Sequence, residues 1–142
     1  YVRKKFKKPI IVGPDWESYQ WAEVIAKSVG CESTVLKKTR FSSRKISSKM
    51  IKHVECKHKE VVIIDDIIST GHTIAEAAKK ARRLGAKSIT AIGVHGLFVE
   101  GAIKKMQKAG INKVVTTNCI EHKTNKIDVT PLLLKELKKE KG

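Results

Sequence analysis

Aromatic residues are scarce: two Trp, two Tyr and three Phe make up 5% of the 142 residues. A surface that stacks unpaired bases needs more, so a single-strand nucleic-acid binder is disfavoured despite the basicity of the chain. Cysteine is sparse too. The three residues, at 31, 56 and 119, are an odd number without disulfide-framework spacing, which suits a reducing compartment. His53, Cys56 and His58 form H-x2-C-x-H and Cys119 with His122 forms C-x2-H, but no Cys-x-x-Cys occurs and nothing frames a zinc knuckle. No apolar run approaches the roughly 20 residues of a membrane-spanning helix. The longest are of strand length, such as Val61–Val62–Ile63–Ile64. The first residues, Tyr1–Val2–Arg3–Lys4–Lys5, lack the apolar stretch of a secretory signal. These absences point to a cytoplasmic protein with no membrane partner.

What the chain has in abundance is positive charge. It carries 30 Lys and Arg against 14 Asp and Glu, a net +16. That charge welcomes anions of any kind, small phosphorylated metabolites as well as nucleic acid. The excess is almost all Lys, with Arg only at 3, 40, 44, 82 and 83, and it is spread over every helical segment in the manner of solvated faces. At 41% hydrophobic residues, 142 residues make one domain with a real core.

Hydrophobic spacing divides that domain. Residues 1–8 read as a basic arm and 9–142 as a single folded unit. Pro9–Val12 is a short buried strand, closed by Gly13–Pro14–Asp15, with Asp15 capping a helix that Gly30 ends. Ser33–Lys37 reads as a second strand and 38–50 as a loop rich in Ser, Lys and Arg. Val61–Asp65 is a continuous β-branched run, the mark of a strand covered on both faces. It is followed by a polar turn over 66–73 and a helix from Ile74 to Leu84. Then come a strand at Ser88–Val94, a helix at Glu100–Ala109, a strand at Val114–Thr117 and a helix opened by Thr130–Pro131. Strands alternating with helices predict an α/β fold in three layers, a mostly parallel central sheet with helices on both faces. In such sheets ligands sit at the carboxyl ends of the strands, which gathers 13–17, 66–73 and 95–101 on one edge.

The chemistry is concentrated in Val61-Val62-Ile63-Ile64-Asp65-Asp66-Ile67-Ile68-Ser69-Thr70-Gly71-His72-Thr73. A buried strand ends in two acids, followed by a hydroxyl-rich turn with a Gly and then a helix. The turn and the helix N-terminus offer backbone N–H groups and the positive end of a dipole, a cradle for phosphate. Ser69, Thr70 and Thr73 add hydroxyl donors, and Gly71 permits close approach or positive φ. Two acids beside a phosphate would repel it. They suit sugar hydroxyls or a hard cation such as Mg²⁺ instead, and a phosphorylated sugar satisfies both halves.

These thirteen residues resemble the phosphoribosyl-pyrophosphate fingerprint of the type I phosphoribosyltransferase superfamily. The wider chain resembles the C-terminal domain of the ribose-phosphate pyrophosphokinase (phosphoribosyl-pyrophosphate synthetase) family in its archaeal form. Gly13–Pro14–Asp15 is similar to that family's Pro-Asp loop, Lys37–Lys38–Thr39–Arg40–Phe41–Ser42 to its Lys-Thr-Arg catalytic loop, and Gly93–Val94–His95–Gly96 to its strand-end segment. The resemblance implies Mg-dependent transfer of diphosphate from ATP to O1 of ribose 5-phosphate. It assigns Lys38 and Arg40 to the transferring phosphates. Asp65 and Asp66 fall to the ribose hydroxyls, Ser69, Thr70, Gly71, His72 and Thr73 to the 5-phosphate, and Asp15 to a Mg²⁺ ion or the sugar. It also implies an oligomer or a complex with an N-terminal half, without which the chain is expected to be incomplete: a fragment, one piece of a split enzyme or a degenerate paralogue. A phosphoribosyltransferase of nucleotide salvage and a non-catalytic synthetase-associated paralogue are the alternatives. Three positions depart from the family pattern: Trp16–Glu17–Ser18 stands where small residues follow the Pro-Asp pair, His72 stands for Gly, and Gly96 follows His95 where Pro is usual.

Overall fold

The structure, a computed structural model, describes residues 1–35 and 54–140. Its centre is a six-stranded sheet in the order β2-β1-β3-β4-β5-β6, with every pairing parallel. The strands are β1 (Ile10–Gly13), β2 (Glu32–Val35), β3 (Glu60–Ile68), β4 (Ser88–Gly96), β5 (Lys113–Thr117) and β6 (Asn125–Ile127). Five helices accompany them: α1 (Val2–Lys5), α2 (Trp16–Val29), α3 (His72–Arg83), α4 (Ala102–Lys108) and α5 (Thr130–Glu140).

The pleat divides the β-branched runs between two cores. Ile10, Val12, Val61 and Ile63 face α3 and α4, meeting Ala75, Ala78, Ala81 and Met106. Ile11, Val62 and Ile64 face the other way, onto Ala22 and Ala26 of α2. Covering both faces is what a run without polar alternation requires, and it yields the three layers that the sequence pattern predicts. Full burial of each such Val or Ile contributes about 1.5–3 kcal/mol. The alanine stripe of α3 lets that helix lie close to the sheet. Asp15 caps α2 through its side chain, and Gly30 ends it at φ +78°.

Several boundaries differ from the sequence reading. Residues 2–5 of the basic arm are helical, with Val2 buried in the α2-side core and the Arg3 guanidinium donating to the backbone oxygen and hydroxyl of Ser28 at 2.6 and 2.8 Å. β3 continues three residues past Asp65, because Ile67 and Ile68 pair with His95 and Gly96 of an equally extended β4. The polar turn is therefore only 69–71, and α3 begins at His72. β6 was not legible in the sequence. It is three residues long and is held by Asn125, whose amide donates to the Thr117 carbonyl at 2.6 Å and the Thr116 hydroxyl at 2.9 Å. No helix among the described residues is long and apolar enough to cross a membrane.

Candidate functional site

The chain runs from β1 outward to β2, then returns to the other side of β1 with β3 and continues to β6. The strand order thus reverses between β1 and β3, and in open parallel sheets that reversal leaves a crevice at the carboxyl ends of the two strands. Gly13 ends β1 there. A Cβ at this position would lie 2.6 Å from Tyr19 Cα and 2.7 Å from its backbone nitrogen, so only Gly lets the first turn of α2 come this close to the strand end. Asp15 follows, and its Oδ1 accepts the Ser18 amide at 2.9 Å. Ser18 is buried, and its hydroxyl crosses to β3, donating to Asp65 Oδ1 at 2.7 Å.

Asp65 is consequently held from two sides, since the Asp66 amide also donates to its Oδ1 at 3.0 Å. The Ile67 amide donates in turn to Asp66 Oδ1 at 2.9 Å, and Asp66 itself is exposed. On the α2 side of the sheet, Asp65 joins Tyr1, Val24, Ile64 and Ile92 in lining a mostly apolar cleft of about 570 Å³. Burial pushes its carboxyl up from the ordinary 3.8 to about 6. The Ser18 hydroxyl opposes that rise, while the Asp66 side chain and the charge of Asp15 add to it.

Beyond Ile68 the chain turns. Gly71 takes φ +70° as the N-cap of α3 and brings no side chain of its own to the helix start, where the His72 amide donates to the Thr70 hydroxyl at 3.4 Å. A Cβ on Gly71 would stand 3.0 Å from Met106 Cγ, so its lack of a side chain also seats α4 behind the turn. From α4, the Lys105 ammonium donates to the Thr70 carbonyl at 2.9 Å. That bond ties α4 to the turn and sets a positive charge beside the Thr70 carbonyl. His72 is the first helical residue and is exposed, so the left-handed backbone falls on Gly71 and the family's usual glycine at 72 is not needed. The loop after β4 closes the edge: Leu97 and Phe98 donate to the Ile68 carbonyl at 2.9 and 3.1 Å, and Val99 to that of Ser69 at 3.1 Å. Phe98 folds back over Gly96, where a Cβ would meet its ring at 2.4 Å, and it sits at φ +49°. Positive φ at Phe98 and Glu100 is strain of the kind that collects at ligand-facing loops.

Of the residues singled out in the sequence, Asp15, Asp65 and Asp66 come together at the β1/β3 crevice, and Ser69, Thr70, Gly71, His72 and Thr73 form the adjoining turn and helix start. Lys38 and Arg40 lie outside the described residues, as does His53. Among the described residues no cluster of three or more His, Cys, Asp or Glu side chains is assembled for a metal. Sequence reasoning missed Ser18 and Lys105. Ser18 was legible only as one of three residues that break the family pattern, and Lys105 is one of many lysines on a helix.

Comparison with known proteins agrees with this fold. A family model described as the phosphoribosyl transferase domain matches residues 1–132. The chain belongs to that family. This phosphoribosyl transferase domain is 36% identical over 135 residues to a ribose-phosphate pyrophosphokinase of Thermococcus kodakarensis, covering 95% of the chain and 48% of the relative. It is likewise 36% identical over 140 residues to the Pyrococcus abyssi protein of that name, covering 99% of the chain and 48% of the relative. The domain thus spans about half the length of the curated relatives it matches. A crystal structure of phosphoribosylpyrophosphate synthetase from Mycobacterium smegmatis superposes with a TM-score of 0.75 at 26% identity, covering all of this chain and 48% of that one. Adenine phosphoribosyltransferase from Saccharomyces cerevisiae shares the fold, with a TM-score of 0.58 at 21% identity over 80% of this chain and 68% of that one.

Proposed function

We propose that this domain forms the C-terminal half of a ribose-phosphate pyrophosphokinase, working in nucleotide biosynthesis in the cytoplasm and joined there to an N-terminal half or to further copies. The observation that carries the reading is the juxtaposition of an acidic pair near the end of β3 with a hydroxyl turn that begins one residue beyond that strand and leads into a glycine-capped helix start. The carboxylates suit the hydroxyls of ribose, and the turn suits its 5-phosphate. Asp65 and Asp66 accept from the sugar, while backbone amides from Ser69 to Thr73 and the nearby hydroxyls surround the phosphate.

Mg²⁺ fits the donor set. Asp15 offers a hard carboxylate oxygen beside a second carboxylate, and this cation takes one or two protein carboxylates with substrate phosphates completing its shell. Asp15 would hold the ion, which supplies charge neutralisation on the diphosphate of ATP. Lys38 and Arg40 take the role of mobile cations on the transferring phosphates through the resemblance of their loop. Such a transfer asks the protein for positioning and electrostatics rather than covalent chemistry.

Calorimetric titration with ribose 5-phosphate tests the reading, with the Asp65→Ala/Asp66→Ala double variant as control. Saturable binding lost in the double variant is expected, together with little or no turnover by the chain alone in Mg-ATP. No binding by the unaltered chain would defeat the proposal.

A further inference from the structure

Ser18 joins the two acidic segments of the crevice. Its amide is held by Asp15 Oδ1 at 2.9 Å and its hydroxyl reaches Asp65 Oδ1 at 2.7 Å, across 47 residues of chain. Among the described residues, both protein donors to the Asp65 side chain fall on Oδ1, the second being the amide of Asp66. A carboxylate turns easily about its terminal torsion. The Asp66 amide belongs to the next residue and moves with Asp65, so it fixes that torsion weakly. Ser18 comes from a different element, is 4% exposed, and is set in place by a capped helix start that packs on Gly13 without the room of a methyl group. At that exposure the Ser18 hydroxyl is largely withdrawn from solvent.

We infer that Ser18 is a positioning residue for sugar recognition: it holds Asp65 Oδ1 so that Oδ2 is presented to one hydroxyl of the ligand. The inference rests on the ribose 5-phosphate reading and adds a residue to it. It also gives the Trp16–Glu17–Ser18 segment a function. Trp16 is half-buried and packs edge-on against Tyr19 at 5.8 Å between ring centroids, Glu17 is exposed, and Ser18 is the buried member of the three. A glycine or alanine at that place would leave Asp65 free to rotate.

The test compares ribose 5-phosphate, 2-deoxyribose 5-phosphate and 3-deoxyribose 5-phosphate on the unaltered chain and on Ser18→Ala by calorimetry, with unfolding midpoints checking that both chains fold. Loss of a hydrogen bond that orients a charged acceptor predicts roughly tenfold weaker ribose 5-phosphate binding by Ser18→Ala. On the deoxy sugar that lacks the hydroxyl bound by Asp65, the two chains should agree within about twofold, since the energy transmitted through Asp65 is no longer there to lose. Equal weakening on all three sugars would mark Ser18 as merely structural and overturn the inference, as would unchanged binding of ribose 5-phosphate. An unaltered chain that binds none of the three overturns the functional reading and this inference with it. Binding by the unaltered chain with no sugar-dependent effect of Ser18→Ala overturns the inference alone.

Discussion

Asp65→Asn should make this protein more stable at neutral pH while removing its affinity for the sugar. The Asn side chain keeps the shape, and its carbonyl oxygen can still accept from the Ser18 hydroxyl and the Asp66 amide, the bonds that now hold Oδ1. What it removes is a charge that the fold holds against burial, with the carboxyl pushed up to about 6 from 3.8. Taken in full, that gap corresponds to ~3 kcal/mol. The carboxylate is partly solvated, and screening reduces the figure to ~1–2 kcal/mol. The sign follows from proton uptake. Below pH 3.8 both folded and unfolded chains carry the proton and Asp65 is neutral in each. Between 3.8 and about 6 the unfolded chain releases it first, so wild-type stability falls as pH rises. Above 6 the whole cost is present. Urea melts of both proteins at pH 4 and pH 8, in a chelator so that no divalent cation neutralises the acids, should show near equality at the lower pH and a gain of ~1–2 kcal/mol for Asp65→Asn at the higher. A variant less stable than wild type at pH 8, or one with the same difference at both pH values, would refute the reasoning. A gain in stability with lost affinity is the trade expected where a site holds charge in readiness for a ligand.

Gly13→Ala should lower stability by ~1–3 kcal/mol, because its new methyl group meets the backbone of Tyr19 and α2 must shift; a urea midpoint within ~0.5 kcal/mol of wild type would contradict the close packing of α2. Lys105→Met keeps the length of the side chain but leaves the Thr70 carbonyl without its charged donor. Ribose 5-phosphate binding should weaken several-fold while stability changes by less than ~1 kcal/mol, and unchanged binding would remove Lys105 from the phosphate loop's support. The thiols should react with an aromatic disulfide reagent in the order of their exposure: Cys119 first, then Cys31, and Cys56 only on unfolding. Burial pushes the thiols of Cys31 and Cys56 up, which slows them further. Mass spectrometry of the labelled peptides reads the order, and Cys56 labelling as fast as Cys119 would refute it.

Much of this fold was legible because its strands are buried on both faces. Runs such as Val61–Ile64 carry no polar alternation, and that pattern requires helices on either side and parallel neighbours. The acidic pair and the hydroxyl turn were legible as well, since residues adjacent in sequence are adjacent in the site. The strand ends were not. Ile67 and Ile68 follow two acids and read as a turn, yet they pair with His95 and Gly96, and only the partner strand decides that. β6 is not legible because a three-residue strand of Asn, Lys and Ile has no period; its place is set by bonds to residues earlier in the chain, the Asn118 amide to the Ile127 carbonyl and the Asn125 side chain to β5. Ser18 and Lys105 lie 47 and 35 residues from the groups they bond, and no local spacing records such a pairing.

The three departures from the family pattern differ in consequence, and geometry separates them. His72 changes little, because the left-handed backbone is carried by Gly71 and position 72 is already helical. Gly96 reflects an exchange within the chain's own packing: the Phe98 ring occupies the space that a side chain at 96 would need. Ser18 is of another kind. Glu17 beside it is exposed and Trp16 half-buried, while the Ser18 hydroxyl enters the crevice and bonds the Asp65 carboxylate, whose charge burial resists. That bond lowers the cost of ionising Asp65 at the pH where a sugar hydroxyl needs an ionised acceptor. A segment that departs from the family pattern thus sends one inward hydroxyl to the carboxylate that we propose receives the sugar.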